Sequence, residues 1–128
     1  MRHKRLLTIT ICLFLASVML VLGCRKSAED YVAKGGSLYL QGQRDEAIAA
    51  YNKAIEINPK YANAYLGRGI AYYGKGEYYQ AIADCTKAIE LDPTDALYYS
   101  NRGMAYYKLG EKVKAEADFK RAKELVFK

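Results

Sequence analysis

The 128-residue chain has no tryptophan, two prolines, three cysteines and one histidine, and each scarcity removes a class of protein. With so little proline and a hydrophobic share of 52%, collagen-like and disordered chains are excluded. The one histidine, His3, lies in the first five residues, so the body of the chain has no imidazole to act as a base for a nucleophile. No Cys/His spacing suits zinc either, and the expectation is a protein without catalytic residues, metal or cofactor. The cysteines are too few for a disulfide framework: Cys12 and Cys24 belong to an apolar leader, leaving Cys85 alone in the body. Charge of one sign is scarce too. Formal charge is +6 overall, but beyond Gly23 there are seventeen Lys and Arg against fourteen Asp and Glu, a net +3. That is too mild to argue for nucleic acid as a partner.

What is present begins with the leader. Arg2, Lys4 and Arg5 precede residues 6–22, seventeen positions without a charge. A basic start, an apolar centre and a small residue at the exit are the parts of a secretory signal. The run is at the lower limit for crossing ~30 Å of hydrocarbon as a helix. It ends Val21-Leu22-Gly23-Cys24, which resembles a bacterial lipobox. That resemblance implies cleavage before Cys24 and lipidation of its thiol, making 1–23 a signal peptide and 24–27 a short linker. The alternative is an uncleaved signal anchor with Cys24 as a bystander. Either way the chain is held at a membrane, by buried acyl chains or a buried helix. The basic flank stays cytoplasmic and the remainder is exported. Arg25 stands where some bacteria place an Asp that retains lipoproteins at the inner membrane. The expected location is therefore a bacterial cell envelope, at the outer membrane or cell surface.

Beyond the leader the sequence repeats every 34 residues. The step links Gly35, Gly69 and Gly103; Tyr31, Tyr65 and Tyr99; Gly42, Gly76 and Gly110; Ala47, Ala81 and Ala115; and Ala54, Ala88 and Ala122. Leu38, Tyr72 and Tyr106 share one slot, Tyr51, Cys85 and Phe119 another, and Pro59 and Pro93 close the first two units. Tyr65, Gly69 and Tyr72 fall on one helical stripe over 62–75, and Ala81, Cys85 and Ala88 on another over 78–91. Glycine costs ~1 kcal/mol inside a helix, so three at one slot signal that a neighbouring helix passes close by. Gly42, Gly76 and Gly110 suit the turn between the two helices of a unit. Cys85 reads as a core filler.

This pattern resembles the tetratricopeptide repeat over residues 28–128, with units at 28–61, 62–95 and 96–128. The resemblance implies an all-α, right-handed superhelical solenoid of three helix-turn-helix units after the N-terminal helix. It departs from the family at Lys34, Arg68 and Arg102, where an apolar residue usually precedes the first glycine, and at the third unit, which has no closing proline.

A decoy and a set of carboxylates complete the inventory. Residues 69–75 match the first seven positions of a phosphate-binding loop, but Gly76 follows where Ser or Thr must hold magnesium, and the stretch is helical. Glu46, Glu56, Glu77, Asp84, Glu90 and Glu111 fall on expected outward faces or turns and read as solvated surface.

If the family geometry carries over, the first helices line a concave groove that recognises another protein. The candidate groove residues are Val32, Gly36, Tyr39 and Leu40 in unit one and Leu66, Ile70 and Tyr73 in unit two. Unit three adds Leu97, Asn101, Met104, Tyr107 and Lys108. Tyr39, Tyr73 and Tyr107 are expected to form a ladder of interface anchors. One subset of the family grips a chaperone's terminal carboxylate with Lys, Asn and Arg; the matching positions here are Val32, Gly36, Gly67, Leu97 and Asn101, which disfavour that ligand. An apolar-anchored peptide or helix from an envelope protein fits better. The alternative partner is a second copy, stacking through an uncapped last helix that carries Val113, Val126 and Phe127.

Overall fold

In a computed structural model the described residues form seven helices, with backbone described for residues 2–23 and 25–128 and side chains for 3–17 and 25–128. Helix α1 spans Arg2–Gly23; the rest follow as α2 Ala28–Leu40, α3 Arg44–Ile57, α4 Ala62–Gly74, α5 Tyr78–Leu91, α6 Ala96–Lys108 and α7 Lys112–Val126. No strand occurs among the described residues. Among them, also, no helix is long and apolar enough to cross a membrane, and α1 makes no packing contact with the later helices. Cys24, with the side chains of Val21 and Leu22, lies outside the described residues.

Local chemistry explains where the helices start and stop. Ser27 caps α2 through a reciprocal pair of bonds, its hydroxyl accepting from the Asp30 amide and its own amide donating to the Asp30 carboxylate. Gly42, Gly76 and Gly110 each adopt φ of +80°, the left-handed conformation that lets the first helix of a unit turn into the second. The Tyr65 and Tyr99 hydroxyls donate to the carbonyls of Pro59 and Pro93, tying each proline turn to the unit that follows it.

The six later helices pack as pairs, α2 on α3, α4 on α5 and α6 on α7, and each pair packs on the next. The first helices α2, α4 and α6 also touch one another in sequence, whereas α3, α5 and α7 do not. The stack therefore curves with the first helices inside and the second helices fanned outside. Its core is alanine-lined and tyrosine-filled: Ala47, Ile48, Tyr51 and Ala71 form one cluster, and Tyr65, Ala88 and Tyr98 another. One helix pair alone could not bury these faces. Among the described residues every buried one lies at or beyond Ala28 and α1 packs on none of the later helices, so residues 25–128 are expected to fold without the leader.

The slot of Gly35, Gly69 and Gly103 shows why glycine is required. A side chain at Gly35 would sit 2.8 Å from the Tyr51 ring, and one at Gly103 2.8 Å from Phe119. At Gly69 the limit is the Ala81 carbonyl, at 3.3 Å. The second helix of the same unit is the close neighbour in each case.

Candidate partner-binding groove

The inner face is built by α2, α4 and α6, and the candidate residues divide sharply upon it. Val32 and Leu66 are half-buried and pack against core clusters. Tyr39 is half-buried too, with its ring 3.2 Å from where a side chain at Gly74 would begin. Tyr73 meets Tyr78 edge-on, with ring centroids 5.4 Å apart. Tyr107, in α6, is 61% exposed. The three tyrosines thus share a column without forming a ladder: two are packing residues and the third is free.

The open apolar surface is concentrated on α6. Leu97, 58% exposed, and Met104, 39% exposed, lie seven residues apart on one helical stripe, with Tyr107 three residues further. Asn101 sits between them, its amide donating to the Leu97 carbonyl at 2.8 Å. Lys108 is exposed at the end of the helix, and Ile70 is partly exposed on neighbouring α4. Leu40 is exposed at the C-terminal end of α2, and Gly36 is partly exposed in its middle.

Gly67 turns out to be small for an internal reason. The Tyr51 ring, reaching from α3, is wedged between Gly35 of α2 and Gly67 of α4, inside van der Waals contact of any side chain at either. Burial, with the Tyr39 phenol nearby, pushes the Tyr51 hydroxyl above its ordinary pKa. Gly67 therefore admits a residue of this chain, not a ligand.

Asp84 corrects the expectation of a solvated carboxylate. It is only 5% exposed and accepts two bonds from the Arg68 guanidinium, at 2.7 and 2.8 Å. Arg68 also donates to Asn52 of α3 at 2.7 Å, so it bridges two outer helices that do not touch each other. Arg102 repeats the device one unit on, with Asp118 of α7 and Thr86 of α5. The carboxylates hold both arginines above the usual guanidinium pKa. The signal was in the sequence: the two arginines that break the apolar column pair with the two aspartates that recur 34 apart at 84 and 118.

The phosphate-loop match is helix. Residues 69–74 belong to α4, and the Lys75 ammonium is held by Asp45 at 2.6 Å and Glu77 at 2.9 Å, both of which raise its pKa. Cys85 is fully enclosed, and burial pushes its thiol up to about 12. In residues 25–128, free of Cys12, a maleimide at pH 8 is expected to leave native Cys85 unmodified and to label it fully in denaturant. Labelling of the folded chain within minutes would contradict that placement.

Both ends of the stack are polar in the columns that bind neighbouring units. Ile48 and Ile55 of α3 pack on α4, and Ile89 of α5 packs with Tyr98 of α6; the same columns in α7 carry Glu116 and Lys123. At the other end, Ala64 and Ala71 of α4 and Tyr98 and Ala105 of α6 are buried, whereas α2 has exposed Asp30 and Ser37. A copy stacked on α7 would also bring its Lys34 toward Lys120, since Arg68 and Arg102 meet that column at Asn52 and Thr86. Val113, Val126 and Phe127 are exposed beside these polar columns.

Family models named TPR repeat and tetratricopeptide repeat match residues 35–76, 62–95 and 85–117. No curated protein sequence matches the chain. Among solved structures, the second TPR of Spaghetti (RPAP3), bound to the HSP90 peptide SRMEEVD, is similar at 29% identity and a TM-score of 0.76, over 78% of this chain and 93% of that one. The Arabidopsis OM64 TPR domain is 33% identical over 77% of this chain and 82% of its own, with a TM-score of 0.76. The TPR2B domain of yeast Sti1, in complex with an Hsp70 peptide, is 28% identical over 77% and 78% of the two chains, with a TM-score of 0.75.

Proposed function

This chain belongs to the tetratricopeptide-repeat family, and from that premise we propose that it is a membrane-tethered adaptor holding an apolar segment of another envelope protein in its groove. The observation that carries the reading is the exposed stripe of Leu97, Met104 and Tyr107 on α6. An apolar stripe left open on the inner face of a stack marks a place where another chain is received. The similar structures of Spaghetti and Sti1 hold chaperone peptides. Here the positions corresponding to the carboxylate clamp are Val32, Gly36, Gly67, Leu97 and Asn101, so the ligand proposed is anchored by apolar side chains and not by a terminal carboxylate. The basic leader, its apolar run and the Val21-Leu22-Gly23-Cys24 sequence support the tether. The adaptor works by binding and localisation together: a tether raises the effective concentration of whatever the groove holds.

Cross-linked capture from membranes tests this. Leu97→Asp/Met104→Asp is expected to reduce recovery of the partner at least about tenfold, while circular dichroism stays unchanged, because both side chains face solvent in the free protein. The same purified chain is expected to scatter light as a monomer. Undiminished capture by the double variant would sink the groove reading, and concentration-dependent growth in mass would return the stacking alternative to first place.

A further inference from the structure

Units two and three close the outer seam between their helices with an Arg–Asp pair, and unit one does not. Its equivalent columns carry Lys34 and Ala50, and Lys34 makes no ion pair among the described residues. Where the guanidinium would lie there is an open cleft of about 370 Å³ with an apolar floor of Tyr31, Leu38, Ala49 and Ala50, rimmed by Lys34, Lys53 and Glu46. A second cavity of about 550 Å³ shares Tyr31 and Lys53 with the first and adds Arg25, Lys26 and Ile57. The apolar floor of the first therefore adjoins a second hollow lined mainly by Arg25, Lys26 and Lys53. Glu56 is held by Lys53 at 2.8 Å, and Asp30 in the first turn of α2, next to exposed Glu29, is held by the Ser27 amide.

We propose that this face of unit one docks on an anionic lipid bilayer. The inference rests on the reading that the leader holds the chain at a membrane. Cys24 and Ala28 are four residues apart, so at most about 14 Å of chain separates the anchor point from the first repeat. A face that close to the bilayer meets its headgroups constantly. Arg25, Lys26 and Lys34, none of them in an ion pair among the described residues, supply charge complementary to anionic headgroups, and Tyr31 with the half-exposed Ile57 supplies surface suited to the interfacial region. The docked unit then presents the remaining stack at a fixed angle instead of on a free leash.

Residues 25–128, which contain every buried residue among those described, are mixed with sedimenting vesicles of phosphatidylcholine alone or with 30% phosphatidylglycerol. The wild-type domain is expected to sediment with the anionic vesicles, increasingly so at low salt, and to stay in solution with the neutral ones. Lys26→Glu/Lys34→Glu is expected to weaken that partition at least about tenfold, whereas Lys112→Glu/Lys123→Glu, the same charge change in the last unit, is expected to alter it less than about threefold. Thermal melts confirm that both variants fold. Absence of partition, equal loss in both variants, or binding of poly-glutamate at these lysines without any vesicle binding would overturn the proposal. The tether is read separately, from the mass and membrane fractionation of the full chain and its Cys24→Ser variant. A domain that binds vesicles while the full chain is never membrane-bound faults the tether; a lipidated chain whose domain ignores anionic vesicles faults the docking face.

Discussion

Gly67→Ala is expected to destabilise residues 25–128 by about 1–3 kcal/mol, although alanine is the better helix former by ~1 kcal/mol. The added methyl group would fall on the Tyr51 ring. The ring cannot retreat, because a side-chain position at Gly35 on its other flank is already only 2.8 Å away. Strain must therefore go into the seam between α2 and α4, and the first unit separates from the second. The next junction in the stack supplies the control. There the ring column carries Cys85 and the Gly67 column carries Asn101, a smaller residue facing a larger one. In a Tyr51→Cys background, itself destabilised by a cavity, the further cost of Gly67→Ala is expected to fall below about 0.5 kcal/mol or to reverse sign. Urea melts of the four proteins measure this coupling. Equal costs in the two backgrounds would show that Gly67 is small for some reason other than the ring.

The second large effect is at Asp84. Asp84→Ala leaves Arg68, whose side chain is 22% exposed in the native pair, without the carboxylate that takes two of its guanidinium bonds. Breaking a buried pair from one side costs ~3–5 kcal/mol, and the partial solvent access of Arg68 brings the expectation to about 2–4 kcal/mol. For a domain of this size that lowers Tm by about 10–20 °C. Arg68→Met/Asp84→Leu, which removes both charges and restores apolar volume, is expected to be closer to wild type than Asp84→Ala. Asp118→Ala should cost less than Asp84→Ala, because Asp118 anchors only the terminal helix α7, whereas Asp84 holds the middle of the stack. A loss under about 1 kcal/mol for Asp84→Ala in denaturant melts would mean that packing alone aligns the outer helices.

These two sites mark the boundary of what could be read from residues alone. The boundaries of α5 fall at Tyr78–Leu91, the span given by its alanine stripe, and α4 ends at Gly74 with Lys75 as its cap, one residue inside the span expected. The turn glycines adopt the left-handed conformation their spacing implies. The candidate groove was less legible. Tyr39, Tyr73 and Tyr107 are one column in the sequence, yet two of them pack on residues of this chain and only Tyr107 stands open. Asp84 looked like any helical carboxylate until Arg68 was found opposite it.

The sequence by itself determined the number of helix pairs, their lengths, their turns and the identity of the family, because helical periodicity and the 34-residue repeat are properties of one chain position relative to another. Only the tertiary structure decided which member of each repeated column is buried, paired or free. Equivalent positions have different neighbours along the stack: Tyr51 is 5% exposed beneath α4, and Phe119 of α7 is 39% exposed. Burial is set by what packs across a position, and a repeat records only what recurs along it.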